Sequence, residues 1–405
     1  MSKTLLILGA SRQAEEGLRH LKGCGWFLVG CDIDEQAPGF KWCDDHIIAS
    51  VYHEDQAVPA ALEYHKNVRP LDGVMCLAVD CPHVVARIAR ELDLPGISVE
   101  TADLAVDKIA MKDRFKAAGM ATPVYREVDS LAELMRFYDE RQKPLVIKPC
   151  DSRGSKGVSL NKDPADFGWA FEHAKASSPT GRVEAEEFLS GPQLSTETIV
   201  YKGTAYTIGI SDRNYEFLET YAPYIIENGG DLPSFWSEGE IAQAKKVMGQ
   251  AARALGVENG VLKGDLLLHG GTVYVVEVAL RLSGGYFCTH EVPLNTGRST
   301  IIPVAKIALG EPVSLDELEV TELKPVYQRY IFPNPGRIVD MSGLDVARDL
   351  PGVDFVDVWA EVGDEVISPV NAGGSVGVII TSGATKELAW QSMDAAQKAI
   401  EIQTV

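Results

Sequence analysis

The segment at residues 275–285, VVEVALRLSGG, begins as an apolar strand but carries a carboxylate and a guanidinium, Glu277 and Arg281. Side chains of a strand alternate between its two faces, which predicts one apolar face and one charged face. The apolar face is predicted to contain Val276, Val278, Leu280 and Leu282. The charged face is predicted to contain Val275, Glu277, Ala279 and Arg281. Burying either charge without a partner would cost several kcal/mol, so the charged face must meet water, a counter-charge, a metal or a ligand.

A second carboxylate, Asp265, precedes this strand across the glycine pair Gly270-Gly271 and shares a face with Lys263. A two-residue turn would put Asp265 and Glu277 on opposite faces of the hairpin, whereas a three-residue loop over residues 270–272 would put them together. We therefore expect a loop with an odd number of residues. Two adjacent carboxylates suit a hard cation such as Mg²⁺. The alternative is that each pairs with a lysine or arginine on a solvated face.

The segment CDSRGSKG, residues 150–157, forms a glycine-rich loop after the strand PLVIKP. With Lys148 at its entrance and Lys156 inside it, the loop offers backbone N–H groups and cations to phosphates. It does not match the GxxxxGK[ST] phosphate-binding motif. An ordinary turn, with Lys148 at an exposed strand edge, is the alternative.

Charge and cysteine content limit the classes of function. The 405 residues carry a formal net charge of −20, which argues against a general binder of nucleic acids or anionic membranes and leaves room for a local basic pocket. The seven cysteines include no CxxC pair, as expected of free thiols in a reducing compartment. The apolar start TLLILGA runs straight into charged residues and predicts a first strand, so we expect a cytoplasmic protein that does not enter the membrane.

Residues 1–100 alternate strand-like and helical stretches, which predicts a parallel α/β unit. Gly9 follows the first strand and Asp32 ends the second, as in a dinucleotide-binding fold, but GASRQAEEG lacks the GxGxxG glycines. Two interpretations stay open. The chain is an NAD-dependent oxidoreductase, or Asp32 is a loop carboxylate at the end of a strand. Further along, the pattern predicts a hairpin over residues 195–210, a helix over 238–255 and a domain boundary near residue 315.

Taken in order, these segments resemble the ATP-grasp superfamily along essentially the whole chain. The matching segments are DK at 107–108 with its helix and GMATP, VIKP with the glycine-rich loop, EEFLSGP, and the hairpin that ends in R-x-x-G-G. EVALRLSGG and the stretch from PGV through GDEV to GGSVGVIITSG resemble L-amino-acid ligases and related carboxylate–amine ligases. The resemblance implies an α/β ATP-grasp fold with α+β subdomains. Its parts would be an N-terminal Rossmann-like pre-ATP-grasp domain at 1–100, an ATP-grasp domain at 101–315 with a lid subdomain at about 122–190, and a small C-terminal α/β domain at 316–405.

The resemblance also implies roles for single residues. Asp265 and Glu277 would bind Mg²⁺, or Mn²⁺ in its place, and Arg281 with Lys148 would stabilise the transferred phosphoryl group. Ser283, Gly284 and Gly285 would offer N–H groups to an acyl phosphate. The residues that would bind ATP are Lys108 and Lys148 at the phosphates, Ser155, Lys156 and Gly157 in a loop that closes over them, Glu186, Glu187 and Leu189 at the adenine, and Gln193 at the ribose. Of the adenine residues, Glu186 would act through its side chain and the other two through their backbone.

One position departs from the superfamily, since Ala279 replaces the asparagine of the usual E-x-N-x-R motif. Three consequences of this replacement stay open. A water takes the ligand position, one ion binds more weakly, or the protein binds ATP without turning it over. Arg213 and the pair His290-Glu291 are candidates for contact with the second substrate. For that pair, a local hydrogen bond between the two side chains is the alternative.

The function implied by the resemblance is ATP-dependent ligation of a carboxylate to an amine through an acyl phosphate, with release of ADP and phosphate. The partners would be two small molecules, with no nucleic acid and no membrane, and formation of a homodimer stays open. Two alternatives are an enzyme that phosphorylates bicarbonate, as carboxylases and carbamoyl-phosphate-forming enzymes do, and a non-catalytic ATP-binding protein.

Overall fold

The computed structural model describes residues 2–405 and begins with a parallel α/β unit, as predicted. Its four strands are β1 (Thr4–Leu8), β2 (Phe27–Asp32), β3 (Asp45–Ile48) and β4 (Gly73–Cys76), and its helices are α1 (Glu15–Lys22), α2 (Glu54–Asn67) and α3 (Pro82–Glu91). The strands are ordered β3-β2-β1-β4 and every pair is parallel. All of β1 is buried, because helices cover both faces of such a sheet.

The two residues that suggested a dinucleotide site both serve the local structure. Asp32 accepts hydrogen bonds from the Ala10 N–H (2.9 Å) and the Asp34 N–H (3.2 Å), which is the loop-carboxylate arrangement. Gly9 has φ +99°, and a Cβ there would lie 2.6 Å from the carbonyl oxygen of Leu77. A glycine is required at this position because the backbones approach so closely.

A small antiparallel sheet follows the helices α4 (Val99–Val106) and α5 (Lys108–Ala117). The elements of this lid region are β5 (Tyr125–Val128), α6 (Leu131–Arg141), β6 (Leu145–Pro149), β7 (Ser159–Asn161), α7 (Phe167–Ala176) and β8 (Val183–Glu187). Its strand order is β5-β8-β6-β7. Helices α6 and α7 pack Phe137 and Phe167 against Leu145 and Val183 of the sheet, which gives the lid region a core of its own.

An eight-stranded sheet joins the middle of the chain to its C-terminal part. The elements from the middle of the chain are β9 (Gln193–Tyr201), β10 (Thr204–Arg213), β11 (Gly230–Leu232), α8 (Glu238–Leu255), β12 (Gly260–His269), β13 (Thr272–Ala279), α9 (Val292–Thr296) and α10 (Ile301–Ala308). Those that follow are β14 (Val326–Ile331), β15 (Gly336–Ser342), α11 (Leu344–Arg348), β16 (Val353–Val358), β17 (Glu365–Val366), β18 (Gly377–Ser382), α12 (Lys386–Ala399) and β19 (Glu401–Thr404). The order is β13-β12-β9-β10-β11-β14-β18-β16, and a separate three-stranded sheet has the order β17-β15-β19.

The two faces of the eight-stranded sheet belong to different cores. One face packs on α5 and α8 through side chains such as Phe115 and Met248. The other shares a core with β1, α1 and α10, so the N-terminal unit is attached to the sheet by apolar packing. Strands from both sides of residue 315 lie in this one sheet, and the domain boundaries given above remain predictions. None of the helices in the described part of the chain combines the length and the apolar composition that a bilayer-spanning helix requires.

Candidate active site

A cavity of about 830 Å³ lies between the lid region and the eight-stranded sheet. The lid contributes residues of β6, β8 and the loop at 152–156, and the sheet contributes residues of β12 and β13. Gln13 and Asp80 of the N-terminal unit and Tyr330 and Trp359 of the C-terminal part also line it. Most of the residues implied by the resemblance line this space: Lys108, Lys148, Ser155, Lys156, Glu186, Leu189, Gln193, Asp265, Glu277, Arg281, Ser283, Gly284 and Gly285.

Asp265 and Glu277 are direct cross-strand partners on the cavity face, but the predicted loop is wrong. The turn has two residues, Gly270-Gly271, because His269 pairs with Thr272. The odd residue lies in β13, where Leu266 pairs with Val275 and Asp265 pairs with Glu277, so Val276 is a β-bulge. The predicted alternation is corrected accordingly, since Val275 is buried in the core and Val276 lines the cavity.

Cations already surround the two carboxylates. Asp265 accepts from Arg213 (2.5 Å) and from Lys263, and Glu277 lies 3.4 Å from the Lys108 Nζ. Burial would raise the pKa of Asp265, but the charges of Arg213 and Lys263 outweigh it and lower the pKa to about 2. Both carboxylates therefore pair with basic side chains, as the alternative interpretation expected, but inside a cavity and not on a solvated face.

On the lid side, a buried charge network holds Lys148 in place. Its Nζ lies 2.9 Å from Glu186, and Lys112 of α5 contacts both Glu184 and Glu186. Burial alone would raise the pKa of Glu186, but Lys112 and Lys148 lower it to about 2. Lys148 is thus a fixed, buried cation on an inner strand and not an edge residue.

Two predicted nucleotide residues do not line the cavity. The Glu187 side chain pairs with Arg141 (2.5 Å) and Lys143, away from the cavity, so only its backbone is available to a nucleotide. Gly157 ends the loop at φ +75°, and a Cβ there would collide with Ser177. This glycine serves the turn of the loop, while Ser155 and Lys156 face the cavity.

In the loop that follows Arg281, two N–H groups that were expected to be free donate hydrogen bonds to side chains of the protein. The Ser283 N–H donates to Glu197 (3.2 Å) and the Gly285 N–H donates to the Gln13 Oε1 (2.9 Å). The expectation that both donors are available to an intermediate is therefore wrong for this structure. Arg281 itself lies 3.6 Å from Asp80, and its Nε has no hydrogen-bond partner among the described residues.

The two candidate clusters for the second substrate separate in the structure. Arg213 lines the cavity and is held by Asp265 and Glu227. Glu291 lines the cavity, whereas His290 packs on Phe355 and bonds Thr289, and burial lowers its pKa to about 4. No hydrogen bond joins the His290 and Glu291 side chains in the part of the chain that the structure describes.

Several site residues were not predicted from the sequence. Lys112 had a usable signal, because it lies one helical turn after Lys108 and so shares its face. Gln13, Asp80 and Glu197 had none, since tertiary folding alone brings Asp80 to Arg281 and the other two to the loop after it.

Comparison with known proteins identifies two matching domains in the chain. Residues 105–285 match the ATP-grasp domain, and residues 329–405 match the L-amino acid ligase C-terminal domain 2. An uncharacterized protein of Sinorhizobium fredii is 25% identical over 326 residues, which cover 78% of this chain and 66% of that protein. The D-alanine–D-alanine ligase of Bordetella avium is 31% identical over 188 residues, which cover 44% of this chain and 57% of the ligase. The chain thus spans less than two thirds of the length of each.

The solved structures show the same fold over the whole chain. The L-amino acid ligase from Bacillus licheniformis has a TM-score of 0.85 at 22% identity and covers 100% of this chain and 99% of its own. The phosphoribosylglycinamide synthetase from Anaerococcus prevotii has a TM-score of 0.77 at 21% identity and covers 100% of both chains. The chain therefore contains a match to the ATP-grasp domain at residues 105–285 and shares the fold of these two proteins over its whole length.

Proposed function

We propose that the protein is an ATP-dependent carboxylate–amine ligase that forms an amide bond and releases ADP and phosphate. The observation that supports this most directly is the Asp265–Glu277 pair, which faces Lys108 and Lys148 across one cavity. Carboxylates for a metal and lysines for phosphates are the parts that phosphoryl transfer requires, since positioning and charge supply most of its catalysis.

ATP would lie between the lid region and the eight-stranded sheet. Lys108, Lys148 and the loop at 151–157 would hold the phosphates, the backbone after β8 through Leu189 would meet the adenine, and Gln193 would reach the ribose. The Lys108 Nζ donates to the carbonyl of Ser152 (2.6 Å), so one phosphate-binding lysine is already tied to the loop that would close.

The donor set fits Mg²⁺, or Mn²⁺ in its place. Asp265 and Glu277 offer hard oxygen ligands from adjacent strands, and Ala279 offers none where the superfamily has an asparagine. The basic partners of Asp265 indicate that this carboxylate is already positioned for a positive charge. The ion would neutralise phosphate charge when ATP is bound.

The reaction has two steps. An oxygen of the substrate carboxylate attacks the γ-phosphorus, the bond to the β–γ bridging oxygen breaks, and ADP leaves. The amine nitrogen then attacks the acyl carbon, the bond to the phosphate oxygen breaks, and phosphate leaves while the nitrogen loses a proton. Arg281 and Lys148 would offset the negative charge that builds up in the first step, and Gly284 lines the same cavity.

The acyl phosphate is the intermediate that tests this reaction. With ATP, a stimulating acid and no amine, hydroxylamine should trap it as a hydroxamate, and Arg281→Ala should reduce the yield roughly 100- to 1,000-fold. ADP release without hydroxamate for every stimulating acid would contradict the ligase and favour phosphorylation of bicarbonate. ATP binding with no stimulated ADP release would favour a non-catalytic protein.

Composition supports two further parts of the proposal. A cavity of about 830 Å³ has the size of a small-molecule site, and a formal net charge of −20 does not favour binding to nucleic acid. All seven cysteines are free, as in proteins of the cytoplasm, where we place this enzyme. The homodimer stays a prediction.

A further inference from the structure

Gly285, in the loop that follows Arg281, is held on both of its backbone polar groups. Its N–H donates to the Gln13 Oε1 (2.9 Å), and its carbonyl accepts from the Gln328 Nε2 (2.5 Å). The Tyr330 hydroxyl donates a longer hydrogen bond to the same carbonyl (3.4 Å). The peptide groups on either side of Gly285 are therefore both oriented by side chains that lie far from it in the sequence.

The two glutamines use opposite ends of the same functional group. A backbone N–H can only donate, so the amide oxygen of Gln13 must face Gly285. A carbonyl oxygen can only accept, so the amide nitrogen of Gln328 must face it from the other side. Position 13 therefore requires an acceptor, whereas position 328 requires a donor.

This support is needed because the backbone of the loop is unusual. Gly285 has φ +64°, and a Cβ there would lie 2.5 Å from the Tyr330 hydroxyl. Tyr286, the next residue, has φ +69°, a value that a bulky side chain disfavours. A glycine permits many backbone conformations and selects none of them. The conformation of the loop is therefore selected by the hydrogen bonds to Gln13 and Gln328.

The loop in turn holds the guanidinium of Arg281. The Arg281 Nη1 donates to the carbonyl of Leu282 (3.2 Å), which precedes Gly285 in the same loop. A different conformation at Gly285 would shift this carbonyl, and the guanidinium would move with it. Because charge must be placed accurately at the transferred phosphoryl group, such a shift would lower the rate of phosphoryl transfer.

The two glutamines belong to different parts of the chain. Gln13 follows β1 in the N-terminal unit, and Gln328 lies on β14 of the eight-stranded sheet. Both residues line the cavity. The hydrogen bonds of Gly285 therefore join the N-terminal unit to this sheet, a few residues after Arg281.

We propose that Gln13 and Gln328 are positioning residues for phosphoryl transfer, which act through Gly285 on the loop that follows Arg281 and so fix the place of its guanidinium. This inference rests on the proposed function and adds two residues that belong neither to the nucleotide site nor to the metal site. It also gives the Gly285 N–H a role, since this group supports the loop and does not bind the intermediate.

The first test compares two substitutions at position 13. Gln13→Met keeps the length of the side chain and removes the acceptor, whereas Gln13→Glu keeps an oxygen acceptor for the Gly285 N–H. In the hydroxamate assay, Gln13→Met should lose roughly 10- to 100-fold in kcat with a nearly unchanged KM for ATP, because a small displacement of a catalytic group slows the chemical step. Gln13→Glu should recover most of this loss. Equal losses in the two variants, or full activity in Gln13→Met, would overturn the proposal.

Gln328→Met tests the other side of the loop, since it removes the donor to the Gly285 carbonyl. Because Gln328 is buried, this variant is assayed well below its own Tm. It should also lose kcat and keep the KM for ATP. A rise in the KM for ATP without a loss of kcat would mean that Gln328 supports nucleotide binding, and would overturn its assignment as a positioning residue.

Arg12 provides the matched control. It is the neighbour of Gln13 and pairs with Asp357 of the C-terminal part (3.0 Å), but it makes no hydrogen bond to the loop among the described residues. Arg12→Met should therefore keep the kcat of wild type. A loss as large as that of Gln13→Met would mean that contact between the two parts, and not support of the loop, determines the rate, and would overturn the proposal.

Hydrogen exchange measures the support of the loop without any substrate. In peptides that cover Gly285, its amide should exchange slowly in wild type and in Gln13→Glu, and faster in Gln13→Met, because only the first two offer an acceptor. Equal exchange in all three proteins would show that Gln13 does not hold this N–H, and would overturn the proposal.

The proposed function can fail separately from this inference. If an acid stimulates ADP release but yields no hydroxamate, the ligase proposal fails, and the kcat of ADP release in the same variants still decides the role of the two glutamines. If hydroxamate forms in wild type and Gln13→Met keeps the kcat of wild type, the ligase proposal stands and only the inference about the loop fails.

Discussion

The hairpins β9–β10 and β12–β13 are built alike but use their irregularities differently. Each has a two-residue turn, Lys202-Gly203 in the first and Gly270-Gly271 in the second. Each then carries one extra residue at the same distance beyond its turn, Ile208 in β10 and Val276 in β13. Since an extra residue reverses the alternation of side chains, the bulges and not the turns decide which side chains reach the cavity.

The two extra residues have different surroundings. Ile208 is buried in the core that the sheet shares with the N-terminal unit, and the residues after it bring Ser211 and Arg213 to the cavity. Val276 lines the cavity itself, beside Glu277. The first bulge therefore adds a buried side chain to the core and also sets which side chains face the cavity. The second bulge sets which side chains face the cavity, but its own extra residue adds little to the core. Replacing residues near each bulge should separate these contributions.

The largest effect is expected from the carboxylates that the second bulge brings together. Asp265→Asn or Glu277→Gln should reduce hydroxamate formation by roughly 100-fold or more, because phosphoryl transfer depends on charge placed at the phosphates. Ser195→Ala is the matched control, since Ser195 pairs with Asp265 in the same row of the sheet and lines the same cavity. Full activity in both carboxylate variants, with unchanged Tm, would show that the bulge does not build a metal site.

An intermediate effect is expected from Glu197, which lies on β9 and supports the loop after the second hairpin. Burial raises the pKa of Glu197 to about 7 from an ordinary 4.5, against its hydrogen bonds to Ser283. A raised pKa means that the folded state binds the proton more tightly than the unfolded state. The stabilisation is present below pH 4.5 and is lost as pH rises through about 7, with a total on the order of 3 kcal/mol.

Glu197→Gln keeps an acceptor for the Ser283 N–H and cannot ionise. We measure the free energy of unfolding by denaturant titration. The difference between the variant and wild type should therefore shift in favour of the variant between about pH 5 and pH 7, and should be constant above pH 7. Glu140→Gln is the control, because the hydrogen bond from Arg126 lowers the pKa of Glu140 and the difference between this variant and wild type should therefore not change over this range. A constant difference for Glu197→Gln would mean that the buried carboxyl does not titrate in this range.

How far the sequence predicts these hairpins depends on which interactions are local. The helix over residues 238–255 was predicted to the residue, because Ser237 with Glu240 forms a capping box and Gly256 ends the helix in the left-handed region. The placement of Asp265 and Glu277 on the same face was also predicted, but from a three-residue loop, whereas the structure achieves it with a β-bulge. Two consecutive valines hide a bulge, since the sequence alone does not show which of them is the extra residue.

Tertiary packing decides what the pattern leaves open. Val273 and Val275 on one side of the bulge, and Val278 and Leu280 on the other, all pack in the core with α5 and α8, which forces the extra residue to Val276. Contacts between residues far apart in the sequence, such as Gln13 with Gly285 and Asp80 with Arg281, have no local signal at all. Secondary structure was therefore easier to predict than the partners of the site residues.

The smallest effect is expected from the two valines themselves, and it tests the position of the bulge. Val275 is 0% exposed, so Val275→Thr should bury a hydroxyl among apolar side chains and cost about 1–3 kcal/mol of unfolding free energy. Val276 faces the cavity, so the hydroxyl of Val276→Thr would meet solvent or ligand and should change stability by less than about 0.5 kcal/mol. Chemical denaturation of the two variants measures both values, and the substitution is the same at neighbouring positions, so differences in strand propensity largely cancel. If Val276→Thr were the more destabilising of the two, the extra residue of the bulge would be Val275. Glu277 would still face Asp265, because the alternation of side chains after the bulge would be the same. Only the position of the bulge in β13 would then be wrong.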